Sequence, residues 1–266
     1  MSFLDHLEEL RWLLVRSTIA IVVMAIIVYF ISDYIFETII FGPTKVDFVT
    51  YKFFCDASHY LGFADSICIT ELPFIIQNTS MEGQINIFVW TCLTAGFILA
   101  FPFILWELWK FISPALYDSE KKHAKLFIFI ASVLFFLGVL FGYFVIVPMS
   151  VNFLATFSVS KMVLNQFDVG SYIGMVKTSV IASGLYFELP IIIYFLTRLG
   201  LVTPNFLRTY RKYAIVIVLI IAAIVTPPDV VSQITVAVPM LVIYELSIFL
   251  SAFVAKKKKR DEQFSE

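Results

Sequence analysis

Six apolar segments, most of them long enough to cross a lipid bilayer, set the limits on what this chain can fold into. A spanning helix needs about 20 largely apolar residues. Hydrophobic residues make up 60% of the chain and aromatic residues 17%, which is unlike any soluble globular domain. The sequence therefore predicts an all-α polytopic membrane protein with six transmembrane helices, near residues 13–32, 86–106, 126–147, 174–196, 213–226 and 230–254.

The last two predicted spans are short or closely paired. The fifth, residues 213–226, ends at the Pro227-Pro228 pair, and as a helix it extends for about 21 Å. The hydrocarbon core of a bilayer is about 30 Å thick. Such a span requires a thinned bilayer, snorkelling residues at its ends or shielding by other protein.

The distribution of basic residues predicts the orientation. With the N-terminus in the cytoplasm, fifteen of the 19 lysines and arginines lie on the inner side, that is, all except Lys45, Lys52, Lys161 and Lys177. Six spans then place both termini in the cytoplasm. We expect one membrane domain, residues 1–255, in the inner or plasma membrane of the cell, with a basic cytoplasmic tail, residues 256–266.

A long acidic loop, residues 33–85, is predicted on the outer side. It contains Cys55 and Cys68, and disulfides persist in an oxidising compartment. Two alternatives are equally consistent with the sequence. Either these cysteines form a disulfide, or each is a small buried hydrophobic residue. Cys92, within the second span, is interpreted as a packing residue. The cysteines and histidines show no metal-binding spacing, so neither a metal nor a cofactor is expected.

One acid lies inside the fourth span. Glu188 is the only formal charge in residues 180–196, and a carboxylate at that depth costs at least about 2.5 kcal/mol. Pro190 removes the hydrogen bond that the Tyr186 carbonyl would accept, so we predict a kink beside the acid. Either Glu188 is a polar contact point in the membrane, or a neighbouring helix satisfies it and its role ends at assembly.

The sequence matches none of the common enzyme motifs, among them G-x-S-x-G, H-E-x-x-H, the Walker A loop and G-x-G-x-x-G. We therefore expect no enzyme, and any work must draw on a gradient or a partner. Two acids, Glu9 in HLEELR and Glu120 in ALYDSEKK, lie on the basic inner side. A carboxylate binds a guanidinium through two parallel hydrogen bonds, so this pair can hold two arginines of a peptide. Solvated or locally paired acids are the alternative.

Several motifs resemble the TatC family, the multi-span receptor subunit of the twin-arginine protein translocase. They are HLEELR, FPFILWELWKFISPALYDSEKK, GYFVIVPM, GLYFELP and RKYAIVIVLIIAAIVTPPDVVSQ, in that order. The resemblance covers nearly the whole chain apart from the 33–85 loop. It implies binding of twin-arginine signal peptides on folded proteins, single-span partners of the TatA and TatB type, self-association in the lipid bilayer and a proton gradient as driving force. It implies no nucleic acid partner.

The resemblance also assigns roles to individual residues. Glu9 and Glu120 match the acids associated with the arginine pair, and the surrounding recognition surface comprises Arg11, Phe111, Pro114, Leu116 and Tyr117. Glu188 matches an intramembrane acid, and partner docking falls on Thr226, Asp229 and Gln233. Structural roles are the alternatives: interfacial aromatics for Phe111 and Tyr117, a turn for Pro114, and helix caps for Thr226 and Gln233.

Two further functions remain open. An ion-coupled small-solute transporter would use Glu188 as its coupling carboxylate, although no convincing repeat relates the two halves of the chain. A structural membrane scaffold without a peptide ligand is the other. Gradient-dependent solute uptake by the protein alone in liposomes would distinguish the transporter from the receptor.

Overall fold

The computed structural model describes residues 3–60, 68, 72–113, 124–160, 162, 164–226 and 230–263. Pro114, Leu116, Tyr117, Glu120 and Asp229, which were predicted as site residues, lie outside this part of the chain. The described elements are, in chain order, α1 (Phe3–Phe30), α2 (Ser32–Tyr34), a π turn (Ile35–Ile40), a 3-10 turn (Gly42–Thr44), α3 (Val49–Tyr60), β1 (Phe74–Gln77), α4 (Gly83–Ile112), α5 (Ala124–Phe141), a π turn (Gly142–Ile146), α6 (Val147–Thr156), β2 (Asn165–Asp168), α7 (Val169–Phe187), α8 (Leu189–Arg198), α9 (Pro204–Thr209), α10 (Arg211–Val225) and α11 (Val230–Gln263).

Five stretches of helix in the described residues are long and apolar enough to cross a membrane. They are His6–Phe30, Gly83–Ile112, Lys125–Thr156, Val169–Arg198 and Ser232–Lys256. The predicted fifth span corresponds to α10, which has only 15 residues. The chain forms two compact units, one of Met1–Phe136 with Ser158–Lys177 and the other of Leu137–Phe157 with Thr178–Glu266.

In the first unit, α1 and α4 pack against each other in antiparallel orientation. His6 contacts Phe111 at one end of the pair, and Tyr29 contacts Phe88 towards the other. The first helix is uninterrupted from Phe3, because it contains neither proline nor glycine. Leu4, Leu7, Leu10 and Leu14 recur at the spacing of a helix lying on the membrane surface, but they belong to the same continuous helix as the first span.

A small parallel sheet corrects the all-α prediction. Strands β1 and β2 pair in the first unit, with Phe74 opposite Asn165 and Gln77 opposite Asp168. The apolar part of β1, Phe74-Ile75-Ile76, has high β-propensity but is too short to span a bilayer. Asp168 then begins α7 by accepting hydrogen bonds from the Thr79 hydroxyl at 2.7 Å and from the Gly170 amide at 2.8 Å. These bonds, with that from Thr79 first, hold the pKa of Asp168 below its usual value.

The predicted end of the third span at Val147 is wrong for the helix. The chain stays helical through Thr156, because Pro148 follows a π turn and occupies the first turn of α6. A proline is tolerated there, since its missing N–H would have no intrahelical partner. Likewise α11 continues past the predicted limit at residue 254 into the basic tail.

In the second unit, small residues let helices approach closely. The Ser183 hydroxyl donates to the Gly138 carbonyl at 2.7 Å, and a Cβ at Gly138 would lie only 2.8 Å from the Gly184 Cα. An apolar cluster beside this contact is formed by Ile146, Tyr186, Val218, Ala222, Val225, Val236, Ala237 and Met240. The predicted kink beside Glu188 is confirmed, since α7 ends at Phe187 and α8 begins at Leu189 with Pro190 in its first turn.

Candidate functional site

The start of α1 and the end of α4 bring two predicted recognition residues to the same end of the helix pair. The rings of His6 and Phe111 stack with their centroids 4.3 Å apart. Glu9 follows His6 by one helical turn, and its side chain is partly buried. Its Oε2 is buried and has no hydrogen-bond partner among the described residues. A buried carboxylate oxygen without a donor costs free energy, so this position favours a ligand that brings one. Arg11 is exposed on the same helix.

Glu107 is an acid that the sequence analysis missed. It is 4% exposed, and its carboxylate accepts from Lys110 Nζ at 2.6 Å and from Arg16 Nη1 at 3.2 Å. Lys110 also lies over the Trp106 ring, 5.8 Å from its centroid. Arg16 is the sequence feature that could have indicated Glu107. It is a base at the start of an apolar span, and a base in that position needs a counter-ion.

The Glu107 ion pairs also bear on Glu9. Arg16 on α1 and Lys110 on α4 both have a carboxylate partner in Glu107. They therefore balance the charge of Glu107 rather than that of Glu9. The Glu9 Oε2 accepts a hydrogen bond from neither of these two bases.

The second unit holds the intramembrane acid. Glu188 is 6% exposed, and its Oε1 is buried without a hydrogen-bond partner among the described residues. Its main-chain carbonyl accepts from the amides of Ile191 and Ile192, both at 3.0 Å, and so begins α8. The neighbouring Tyr186 hydroxyl donates to the Met240 carbonyl at 3.0 Å and not to Glu188. Within the described part of the unit, one oxygen of the Glu188 carboxylate therefore has no hydrogen-bond partner.

Of the predicted docking residues, Thr226 and Gln233 are described. Thr226 terminates α10, and its hydroxyl donates to the Ala222 carbonyl at 2.8 Å. Gln233 lies in the first turn of α11 and its amide donates to the Leu219 carbonyl of α10 at 3.1 Å. The Gln233 side chain therefore joins α11 to α10, whereas the Thr226 hydroxyl bonds within α10.

The pair of cysteines in the 33–85 loop is also brought together. Cys55 lies on α3, and its sulfur is bonded to that of Cys68. The His59 Nε2 lies 3.8 Å from the Cys68 Sγ. Cys92 is buried within α4, in keeping with a packing role.

Comparison with known proteins decides the family. A family model described as "Sec-independent protein translocase protein (TatC)" matches residues 5–239. The chain belongs to the TatC family. Proteins of the same description from a Blattabacterium of Periplaneta americana and from Aquifex aeolicus are similar to it throughout. The first is 43% identical over 263 residues, 97% of each chain, and the second is 35% identical over 264 residues, 97% of this chain and 98% of the other.

A crystal structure described as the twin arginine translocase receptor TatC has a similar fold. It shares 34% sequence identity with this chain at a TM-score of 0.72, and the match covers 94% of this chain and 99% of that one. The resemblance drawn from the motifs is thus confirmed, and this TatC-family chain is a membrane component of the Sec-independent protein translocase.

Proposed function

We propose that this chain is the receptor subunit of a twin-arginine translocase. It binds the signal peptides of folded proteins at the cytoplasmic face and gathers single-span partners of the TatA and TatB type for export driven by the proton gradient. The observation that carries the proposal is the buried Oε2 of Glu9, near the His6–Phe111 stack, for which the described residues supply no hydrogen-bond donor. Glu120, outside the described residues, is the proposed second carboxylate.

We propose that the protein lies in the inner or plasma membrane of the cell. It crosses this membrane six times and has both termini in the cytoplasm. Its short fifth span is α10, shielded from lipid in part by α11, and the ends of this pair form the docking region at Thr226, Asp229 and Gln233. Support comes from the bias of basic residues towards one side and from the Gln233 bond that joins the two helices. Self-association in the bilayer is part of the proposal, as the family resemblance implies.

Replacing Glu9 by glutamine is expected to weaken binding of a twin-arginine peptide by about 10- to 100-fold. One charge-assisted hydrogen bond contributes roughly 1.5–3 kcal/mol, and about 1.4 kcal/mol corresponds to a factor of ten. A twin-lysine peptide should bind less well to the native protein, because an ammonium lacks the planar fork of a guanidinium. The measurement is the dissociation constant of a fluorescent signal peptide with the detergent-solubilised complex.

Glu8→Gln is the matched control, since it removes the same charge from an exposed neighbour of Glu9. It should change the dissociation constant by less than about twofold, as expected for an exposed charge. Equal effects of Glu8→Gln and Glu9→Gln, or equal affinity for the two peptides, would contradict the proposed site. Glu9→Gln with Glu120→Gln should abolish export of a twin-arginine passenger.

Glu188→Gln is expected to retain most export, whereas Glu188→Ala should lower its rate about 2- to 10-fold. The Oε1 of Glu188 has no described partner, so we infer that it offers a polar contact to a signal peptide or a partner helix. A neutral amide keeps that contact, worth roughly 0.5–1.5 kcal/mol, and alanine removes it. Export is measured in cells whose own TatC gene is deleted, at matched protein levels. The same rate for all three proteins would argue against this role.

A further inference from the structure

Three side chains of metal-binding type meet in the 33–85 loop. Cys55 and His59 are one helical turn apart on α3, so both project from the same face of the helix. Cys68 comes from the chain that follows, and the ligand atoms of all three residues lie within 4.8 Å of one another. Cys55 and His59 are only four residues apart in the sequence, but Cys68 is brought to them by the fold. The sequence spacing therefore did not predict the cluster.

We propose that the cluster of Cys55, His59 and Cys68 binds one thiophilic d10 cation such as Zn²⁺ when its disulfide is reduced. Zinc in a tetrahedral site lies about 2.3 Å from sulfur and about 2.0–2.1 Å from nitrogen, which places the two ligand atoms roughly 3.6 Å apart. The His59 Nε2 and the Cys68 Sγ are already separated by 3.8 Å. For one ion to contact all three, the two sulfurs have to move apart to about 3.8 Å. The ligand atoms of His59 and Cys55, which lie within 4.8 Å of each other, also have to reach a separation of about 3.6 Å.

The burial of the three side chains suits an ion that enters from solvent. Both cysteines are partly buried and His59 is exposed, so an ion reaches the sulfurs through the histidine side of the cluster. Three protein ligands leave a fourth position open for water or another donor. Two thiolates and an imidazole favour zinc or a comparably soft ion over the magnesium or calcium that oxygen ligands prefer.

Disulfide and metal are alternative states of the same two sulfurs. An external dithiol breaks the Cys55–Cys68 bond by thiol–disulfide exchange, gives up two electrons and two protons to the two sulfurs, and becomes a disulfide itself. Zn²⁺ then displaces both thiol protons, which pass to solvent, and neutral His59 binds through Nε2. Either state closes the chain between residues 55 and 68. The proposal makes no use of the signal-peptide site.

The test is a Zn²⁺ titration of the purified full-length protein, against a chromophoric chelator, before and after treatment with a dithiol under anaerobic conditions. We expect the reduced protein to bind one Zn²⁺ per chain in competition with the chelator. The oxidised protein should bind none under the same conditions. Bound Zn²⁺ should also protect Cys55 and Cys68 from alkylation, as mapped by mass spectrometry of peptides. A non-reducing digest of the untreated protein should yield these two cysteines in one linked peptide.

His59→Ala should weaken Zn²⁺ binding at least about 100-fold, because loss of a direct ligand costs more than the 10- to 100-fold typical of outer-shell changes. It should leave the linked peptide of the oxidised protein unchanged. His123→Ala, which removes a histidine distant in sequence, is the control and should bind as the native chain does. The proposal is overturned if the reduced protein takes up no Zn²⁺, if His59→Ala binds as tightly as the native chain, or if oxidation leaves the affinity unchanged.

Discussion

Glu107→Ala is expected to lower the free energy of unfolding by about 2–3 kcal/mol. Removing one partner of a fully buried ion pair costs about 3–5 kcal/mol, because the remaining charge is left uncompensated. Here the acid is 4% exposed, but the side chains of Arg16 and Lys110 are 54% and 50% exposed, so each can recover part of its solvation. We therefore expect a cost below the fully buried range and well above that of a surface substitution.

Glu107→Gln separates the charge from the shape of the side chain. It keeps two polar atoms near Arg16 and Lys110, so about 1–2 kcal/mol of destabilisation is expected. The control is Glu8→Ala on the exposed face of α1, with a change within about 0.5 kcal/mol. Unfolding is followed by circular dichroism as a denaturing detergent replaces a mild one.

The coupling between Arg16 and Glu107 is measured by a double-mutant cycle. Arg16→Gln and Glu107→Gln together should cost at least about 1 kcal/mol less than the sum of the two single changes, because the double variant leaves neither charge unpaired. Strict additivity, or a cost of Glu107→Ala no greater than that of Glu8→Ala, would show that the 3.2 Å contact does not hold α1 to α4.

The same ion pair links stability to the proposed function. Arg16 and Glu107 join α1 and α4 about two turns from Glu9, and the His6–Phe111 stack joins them beyond it. Glu9 thus lies between two contacts that fix the register of the helix pair. We infer that a variant lacking the Arg16–Glu107 ion pair binds a twin-arginine peptide more weakly. The loss of affinity should increase with the separation of α1 and α4 near Glu9.

The helices were predictable because the length of an apolar run reports directly on its ability to cross a bilayer. The kink at Glu188 was predictable too, because Pro190 cannot donate the hydrogen bond that a continuous helix requires. The same rule gave a wrong prediction at Pro148, where the helix was expected to end. A proline costs little in the first turn of a helix. Pro148 is in the first turn of α6 because a π turn precedes Val147, and no local feature of the sequence predicted that π turn.

The site was predictable only as far as its motifs extend. Glu9 was predicted as an acid on the basic inner side and Phe111 through the resemblance. Their position at the same end of a helix pair follows from two antiparallel helices of similar length. Glu107 was missed because sequence alone does not say which face of α4 meets α1. Only packing shows that its carboxylate lies beside Arg16, 91 positions away in the chain. The contribution of Cys68 to the loop cluster escaped for the same reason.

Gly96→Leu is expected to prevent accumulation of folded protein, and Gly96→Ala to destabilise it by about 1–3 kcal/mol, the usual cost of overpacking. A Cβ at Gly96 would lie 2.7 Å from the Ala25 amide nitrogen and 2.8 Å from the Ile21 carbonyl oxygen. Both are main-chain atoms of α1, so no side chain can rotate away to make room. The two helices must instead separate along the whole contact.

Gly174→Ala is the matched control, because a Cβ there would meet nothing within 4 Å. It should leave the thermal midpoint unchanged or raise it, since alanine favours a helix over glycine by about 0.8–1.0 kcal/mol. Midpoints are read from fluorescence-detected size-exclusion chromatography of heated samples. Because Glu9 and Phe111 are held by the two helices that Gly96 brings together, Gly96→Ala should also weaken twin-arginine peptide binding, and Gly174→Ala should not. Similar midpoints for the two alanine variants would mean that α1 and α4 do not pack through Gly96.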